Sequence, residues 1–468
     1  MVKTKKARGG LSIDMLHGPL FVKILIFSLP VIGSSVLQTL FNTIDMIVVG
    51  HFVGDAAVGA VGTTASLINL MQSLFVGLAA GTGACVSVAL GARRERDISD
   101  LVHTAMLTAA IAGVILAGVG YSLAPYLLGT LMNVDESLIG MSTSYIRIYF
   151  LGAPFLLIYN FGFAIMRTLG DTRRPLFYML VAGIANIGFN LLFVAVFHIG
   201  VVGVALGTII SLAVSAVLVV SSLCRYQNAC RLSLRRLRIR MRSLLDILRI
   251  GVPAGLRGML FGISNTMLQA SVNSLGPAAT SGNAAASSIE AFLYLTVAGF
   301  GQSAMVFTGQ NYGAGYHRRI RRVMLCCLSL AAGSAVLMGG AFLLLREPMV
   351  ALYLPDAPEA AAYAFQRMYA VNVFYLLLGV YEALSAVLQG LKISIAPTVA
   401  IILSICGLRL AWIFLAFPLE GLHSVFGLFL CYPISWMVTS IVLSIFTAIA
   451  FARACPLSKD REGEETSA

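Results

Sequence analysis

The sequence predicts an all-α polytopic membrane protein with twelve transmembrane helices in two six-helix lobes, related by a pseudo-twofold axis along the membrane normal. Three observations predict this fold class: the composition, the long apolar runs and an internal repeat. Of the 468 residues, 59% are hydrophobic and 11% are charged, against about 25% charged residues in an average soluble domain. The mean hydropathy of +0.90 describes the whole chain. These values exclude a soluble globular enzyme, a disordered chain and a disulfide-stapled secreted domain.

Long apolar runs recur along the chain, six in each half. Each is long enough to cross a bilayer as a helix, which takes about 20 apolar residues. The runs lack the alternation of barrel strands, so helices are the structure that satisfies their backbone in lipid. They cover residues 22–49, 57–89, 98–128, 139–168, 175–197, 201–223, 245–274, 281–312, 321–345, 362–389, 396–417 and 421–452.

The two halves of the chain repeat one another. The segment Val88–Ala92 aligns with Gln310–Ala314 at an offset of 222 residues, and Pro30 and Pro253 lie 223 residues apart, each early in the first helix of its half. Six helices per copy is an even number, so both copies have the same orientation and their axis runs along the membrane normal. We expect a cleft between the copies, an architecture that is typical of transporters.

The distribution of charge divides the chain into five regions. The net charge is +12, and most Lys and Arg residues lie in loops on one side, which the positive-inside rule identifies as the cytoplasm. Both termini are therefore expected there, in the cell inner membrane. The basic stretch RLSLRRLRIRMR is predicted to form a short amphipathic helix on the anionic membrane surface. In chain order the regions are a cytoplasmic N-terminal tail (1–19), an N-lobe (20–224), a basic cytoplasmic linker (225–244), a C-lobe (245–455) and a cytoplasmic tail (456–468).

Ionisable groups inside spans are functional candidates, because a charge at the bilayer centre costs about 2.5–3.5 kcal/mol or more. Asp45 lies in the first span with Gln38 and Asn42 on the same helical face, and Asn186 and Asn190 share one face of the fifth span. A carboxylate beside amide oxygens can hold a proton or Na⁺. We therefore predict cation coupling at Asp45, Asn42, Asn186 and Asn190, with Na⁺ held by Asp45, Asn186 and Asn190. The alternative is that Asp45 merely faces water near the helix end.

The second half carries its own polar groups. Glu290 lies in the eighth span, Glu382 in the tenth and Arg409 in the eleventh. We expect Arg409 to form a structural ion pair with Glu382 or Glu290, which leaves the other acid free. Aromatic residues beside a buried acid suit a bulky organic cation. The residues predicted to bind substrate are Gln38, Asn265, Gln269, Glu290, Tyr375 and Glu382.

Several stretches resemble the multidrug and toxic compound extrusion (MATE) family of cation-coupled antiporters, in a bacterial member. The resemblance covers residues 15 to 455 and implies a V-shaped pair of six-helix lobes, alternating access, and export of organic cations in exchange for H⁺ or Na⁺. The matching stretches are NTIDMIVVG (42–50), MRTLGDTRRP (166–175), ANIGFNLLFV (185–194), GNAAASSIEAFLYL (282–295) and FTGQNYGAG (307–315).

By position, the resemblance implies that Asp45 matches the family's first-helix acid and Asn186 the fifth-helix asparagine of the same site. Asn190 stands where several members have Asp. This departure removes one carboxylate from a proton relay, whereas a neutral oxygen remains compatible with Na⁺. Glu290 and Glu382 lie on helices where other members use acids of the C-lobe.

The predicted function is therefore secondary active export of organic cations or drugs. The chain is not expected to be an enzyme or to need a cofactor besides the coupling ion, because it has no Walker A, G-x-S-x-G or H-E-x-x-H motif. The expected partners are small organic cations and membrane lipids, without nucleic acid, and the expected state is a monomer. Two alternatives stay open. One is a flippase of amphipathic lipid-linked precursors, for which Arg409 as the one embedded arginine is a poor match to an anionic headgroup. The other is a channel.

Overall fold

The computed structural model of the chain describes residues 13–132, 134–456 and 460. Within these ranges it consists of helices and their connections, without a strand. π-Helical segments lie at Leu127–Leu131, Leu192–Val196, Ile402–Gly407 and Trp412–Ala416. The helices are α1 (Leu20–Phe52), α2 (Asp55–Gly91), α3 (Glu95–Thr130), α4 (Glu136–Leu151), α5 (Ala153–Thr168), α6 (Arg173–Val196), α7 (Gly200–Arg225), α8 (Met241–Asn273), α9 (Pro277–Ala314), α10 (His317–Leu344), α11 (Arg346–Ala351), α12 (Pro358–Asn372), α13 (Tyr375–Gly390), α14 (Ile395–Ala416) and α15 (Val425–Ala454).

Each predicted span corresponds to one of these helices or to a bent pair. In the described part of the chain, nine helices are long and apolar enough to cross a membrane, or eleven spans if each bent pair counts as one. Helices α4 and α5 meet at 48° and α12 and α13 at 47°. Helix α8 has 33 residues but falls outside that count, because charged and amide side chains such as Arg249, Arg257 and Asn265 lower its hydropathy. The all-α polytopic fold class is confirmed.

The chain divides into two compact units. Unit 1 comprises Met1–Thr63 and Arg93–Ser243, and unit 2 comprises Thr64–Ala92 and Leu244–Ala468. Most of α2 therefore belongs to unit 2, whereas the predicted N-lobe contains all of it. The other predicted boundaries stay predictions. The predicted N-terminal tail lies outside the described residues up to residue 12, and the predicted C-terminal tail is described at residues 456 and 460 alone.

Glycines explain why α2 joins unit 2. A Cβ atom on Gly81 would lie 2.6 Å from the backbone nitrogen of Gly251, and one on Gly77 would collide with the backbone of Gly255. Small residues four apart let two helices approach closely, which is how many membrane helices associate. The glycine-rich stretch 76–84 thus lets α2 pack tightly on α8.

The C-terminal end of α2 also packs on α9 through a reciprocal contact. A Cβ atom on Gly91 would collide with the carbonyl oxygen of Gln310, and one on Gly313 would collide with the carbonyl oxygen of Val88. Both contacts are related by the 222-residue offset of the internal repeat. Such reciprocity is typical of two copies related by a twofold axis.

We expect Gly91→Ala and Gly313→Ala each to lower the apparent melting temperature of the purified protein by a few degrees. Each added methyl group forces two backbones apart, and overpacking costs about 1–3 kcal/mol. Gly333→Ala on α10 is the matched control, because a Cβ atom there has nothing within 4 Å. Thermal unfolding in detergent measures the difference, and equal melting of all three variants would contradict a tight crossing.

The basic linker does not form the amphipathic helix predicted for it. It contains one 3₁₀ turn, Leu234–Arg236, and it docks on α3. Asp100 binds Arg238 at 2.8 Å and Arg240 at 3.0 Å, and the backbone N–H of Ser233 donates to Nε2 of His103 at 3.1 Å. The prediction is wrong because these long-range contacts compete with local helix formation. Its contact with the membrane surface stays a prediction.

Candidate functional site

Three of the four predicted coupling residues, Asp45, Asn186 and Asn190, meet where α1 packs on α6. The side-chain nitrogen of Asn190 donates to Oδ1 of Asp45 at 2.5 Å, and Asn186 also interacts with this carboxyl group. Asn186 and Asn190 are buried, while Asp45 is partly exposed. The structure therefore brings one acid of α1 together with two amides of α6, although Asn190 follows Asp45 by 145 positions in the sequence.

Two acceptor atoms of this cluster have no hydrogen-bond donor in the described part of the chain. They are Oδ1 of Asn186 and Oδ1 of Asn190, both buried. A buried acceptor without a donor costs about 1–3 kcal/mol, so it needs a proton, a cation or a water molecule. Carboxylate and amide oxygens are ligands of hard cations, and they equally accept a hydrogen bond from a protonated carboxyl group. Because the amide nitrogen of Asn190 faces Asp45 and Asn186 also donates to it, one amide has to flip to bring an oxygen to H⁺ or Na⁺ held at Asp45.

Helix α7 packs against the oxygen side of the Asn190 amide, opposite the nitrogen that faces Asp45. A Cβ atom on Gly207 would collide with Oδ1 of Asn190, so a larger residue there would displace the amide from Asp45. The absence of a side chain at Gly207 is therefore part of the site, and the sequence gives no periodic signal for it.

The two remaining predicted site residues of α1, Asn42 and Gln38, lie outside these contacts. Asn42 is exposed and forms no hydrogen bond with any residue that the structure describes, so its role in coupling stays a prediction. Gln38 donates from Nε2 to the hydroxyl oxygen of Tyr159 at 3.4 Å, a long contact that links α1 to α5. Its predicted substrate contact also stays a prediction.

Unit 2 contains a cavity of about 630 Å³, within the size range of small-molecule sites. Four of the residues predicted to bind substrate line it, namely Asn265, Glu290, Tyr375 and Glu382. Much of the remaining wall is aromatic. The aromatic lining residues are Phe261, Tyr294, Tyr375, Tyr381, Tyr432 and Trp436.

Gln269, also predicted to bind substrate, belongs to a hydrogen-bond chain and is not a lining residue of this cavity. It donates to Oδ1 of Asn273 at 2.8 Å and accepts from Nδ2 of Asn283 at 2.7 Å. The Oδ1 atom of Asn283 in turn accepts from Nη1 of Arg367. Gln269 therefore helps to position Arg367.

The ion pairs of unit 2 differ from the predicted one. Arg367 binds Glu290 through Nη2 at 2.7 Å and Nε at 3.1 Å, and Nη2 of Arg257 lies 3.8 Å from Oε1 of Glu382. The prediction that Arg409 pairs with one of these acids is wrong in this structure, because each acid has another arginine beside it. Neither acid is left free.

Three arginines line the cavity, where the sequence indicates one embedded arginine. The charge distribution assigns Arg257 to the cytoplasmic flank of its span and Arg367 to the opposite face. Asn265, Gln269 and Asn273 follow one another at four-residue intervals on α8, and Arg257 precedes Asn265 by eight residues. Extending this row of amides by two helical turns therefore includes Arg257. No comparable sequence signal marks Arg367.

Arg409 is fully buried beside the cavity. Its Nη1 atom donates to Oδ1 of Asn265 at 3.2 Å. The guanidinium carbon lies 3.9 Å from the ring centre of Tyr432 and 5.2 Å from that of Phe261. Within the described residues it forms no ion pair, and its Nε and Nη2 atoms have no acceptor.

The sequence model of the MatE family matches the chain twice, over residues 30–192 and 253–415. The chain belongs to the MatE family. The two matches begin 223 residues apart (253 minus 30), which agrees with the internal repeat, and the resemblance to MATE proteins is confirmed. Members of the MatE family are transporters, so the chain is a polytopic membrane transporter and not an enzyme.

Two curated relatives align with this MatE transporter over nearly the whole length of both chains. It is 25% identical to the probable multidrug resistance protein YoeA of Bacillus subtilis, over 89% of this chain and 91% of the relative. It is 23% identical to the FAD transporter of Shewanella oneidensis, over 91% and 94% respectively.

Solved structures share the fold of this MatE transporter. A transporter of the MOP superfamily from Pyrococcus furiosus, described as having a binding pocket of reverse polarity, superposes with a TM-score of 0.87 at 21% identity. That alignment covers 96% of this chain and 99% of the other. A multidrug resistance MATE family transporter in an outward-facing conformation superposes with a TM-score of 0.86, also at 21% identity, over 96% and 99% of the two chains. At this identity the likeness establishes the fold alone.

Proposed function

We propose that this MatE transporter is a secondary active antiporter, which exports small organic compounds in exchange for H⁺ or Na⁺ by alternating access. The cluster of Asp45, Asn186 and Asn190 is the observation that carries the proposal. It offers a carboxylate and two buried amide oxygens without donors, on two helices packed within one unit. A coupling ion that binds there and leaves again would supply the energy for export.

The coupling step needs one ion site whose occupancy depends on the side of the membrane that it faces. Binding of H⁺ or Na⁺ neutralises Asp45 and satisfies an orphan amide oxygen, so the loaded cluster differs from the empty one in charge and in hydrogen bonding. A tenfold gradient of a monovalent ion supplies about 1.4 kcal/mol per ion. One exchanged ion therefore supports about tenfold accumulation of substrate.

The predicted substrate class is organic cations, and the aromatic wall of the unit 2 cavity supports it through cation–π attraction. The ion pairs weigh against it in that cavity, because both Glu290 and Glu382 lie beside arginines. The names of relatives extend the range, since one is a probable multidrug resistance protein and another an FAD transporter. We therefore include compounds with anionic groups among the proposed substrates.

Two alternatives from the sequence need separate treatment. A flippase of lipid-linked precursors gains support from the three arginines at the cavity, since an anionic headgroup now has more than Arg409 to bind. A channel gains no support from the cavity, which is lined by bulky aromatic side chains, two ion pairs and Arg409.

Inverted membrane vesicles that contain the protein test the proposed exchange. We expect ethidium to accumulate inside such vesicles when a Na⁺ or pH gradient is imposed with the higher ion concentration inside. Accumulation with one ion gradient and not the other identifies the coupling ion. Counterflow of preloaded, unlabelled ethidium against labelled ethidium separates a carrier from a channel, and ethidium movement that ignores both gradients would contradict coupled antiport.

A further inference from the structure

Arg409 has the environment of a residue that lacks a partner. It is fully buried, its Nη1 atom binds one neutral amide, and its Nε and Nη2 atoms bind nothing in the described chain. The faces of Tyr432 and Phe261 attract its charge, but they do not accept its in-plane hydrogen bonds. A buried positive charge without a negative partner is strongly destabilising, so the missing group is expected to be an anion.

The other charges of the unit 2 cavity do not supply that anion. Its charged lining residues are three arginines and two glutamates among the residues that the structure describes. Arg367 holds Glu290 through two hydrogen bonds, and Arg257 lies beside Glu382. The remaining positive charge is that of Arg409.

We propose that the unit 2 cavity binds an organic compound through a carboxylate or phosphate group placed on Arg409. This rests on the proposed function, because a ligand in the cavity of an exporter is its substrate. The anionic group supplies the negative partner that Arg409 lacks, and the aromatic wall receives the apolar part of the compound. The proposal thereby names organic anions or zwitterions as a substrate class.

The geometry of the guanidinium group suits this role. Nε and Nη2 lie on the same edge, and their N–H groups can donate in parallel to two oxygen atoms of one carboxylate or phosphate. These are the two atoms of Arg409 without acceptors. A lysine could provide charge at this position but not the paired donors.

Asn265 lies between the open part of the cavity and Arg409, so a ligand reaches Arg409 beside it. Its side chain is exposed at the cavity and accepts the single hydrogen bond that Arg409 donates. An anion that enters beside Asn265 can replace its amide oxygen, since a charged acceptor binds an arginine more strongly than a neutral one. Asn265 binds Nη1, whereas Nε and Nη2 are buried, so the bound state requires rotation of the Asn265 amide and of the guanidinium group, which turns its Nε–Nη2 edge toward the cavity.

The test compares riboflavin 5′-phosphate with riboflavin, two fluorescent probes that differ by one phosphate group. Equilibrium binding to the purified full-length transporter is measured in neutral detergent without an ion gradient. We expect the phosphate form to bind about tenfold more tightly or more, and inorganic phosphate to compete with it. Arg409→Gln is expected to remove this preference, and Arg409→Lys to retain part of it.

Arg453→Gln is the matched control, since it removes one arginine of unit 2 that is exposed at the end of α15. It should keep the full preference. Equal binding of the two probes by the wild type would overturn the proposal, and so would a preference that Arg409→Gln leaves intact. If Arg409→Gln does not give a monodisperse protein, the wild-type preference and the phosphate competition decide the matter.

Liposomes distinguish a soluble anion from a lipid headgroup. Loss of the probe preference when phosphatidylglycerol is added to phosphatidylcholine would identify the headgroup as the occupant, and an unchanged preference would identify a soluble anion. Either result supports an anion site. Because binding is measured without a gradient, absent probe preference with intact ethidium exchange rejects the anion site alone. Intact probe preference without coupled exchange rejects the proposed function alone.

Discussion

Asp45→Asn is expected to abolish ion-coupled ethidium uptake into inverted vesicles while leaving expression and folding close to wild type. The substitution keeps the size of the side chain and retains an oxygen that can accept from Asn190. It removes the carboxylate, so the cluster has neither a group that takes up H⁺ nor an anionic ligand for Na⁺. Uptake rates with imposed Na⁺ and pH gradients, normalised to the amount of protein, measure the loss.

Asp55→Asn is the matched control, because Asp55 is exposed in the first turn of α2 and belongs to the same unit. It should exchange ethidium at the wild-type rate. Wild-type exchange by Asp45→Asn would remove Asp45 from the coupling mechanism. Binding of riboflavin 5′-phosphate should survive in Asp45→Asn, since the anion site lies among different residues.

The fold was predictable because each span is encoded by its own apolar run. The predicted span 201–223 corresponds to Gly200–Arg225, for example, and the predicted span 281–312 to Pro277–Ala314. The predicted span 139–168 is a pair of helices bent by 48°. Hydropathy could not predict this bend, because an apolar run indicates the length of a span and not the direction of its axis. The placement of α2 was not predictable either, because a glycine-rich stretch indicates a close helix contact without naming the partner helix.

The candidate sites were predictable where one helical face carried the signal. The amides Asn186 and Asn190 lie one turn apart, and both interact with Asp45 as that spacing suggests. Periodicity does not fix the rotation of one helix against another, so the sequence could not decide which arginine approaches which acid. Arg367 lies inside the predicted span 362–389, and the charge distribution assigns it to the face opposite the cytoplasm, because a single arginine near a helix end is usually an interfacial residue.

The second large effect is expected at the pair formed by Glu290 and Arg367. The side chains of Glu290 and Arg367 are 6% and 10% exposed, and Arg367 also donates to Asn283 and lies 4.5 Å from the ring centre of Phe429. Arg367→Met leaves the carboxylate of Glu290 buried without a counter-charge. Removing one partner of such a pair costs about 3–5 kcal/mol, which should reduce both the yield of folded protein and its melting temperature.

Arg257→Met is the internal comparison, since Arg257 and Glu382 lie 3.8 Å apart with side chains that are 19% and 16% exposed. Water reaches this second pair more easily, so its loss should cost less. The double variant Glu290→Leu/Arg367→Met should recover part of the stability lost by Arg367→Met, because replacing both charges by apolar groups leaves none uncompensated. If Arg367→Met melts like the wild type, Glu290 does not carry a charge that needs Arg367. Glu290 would then be a protonated acid beside the cavity, available to substrate as the sequence predicts.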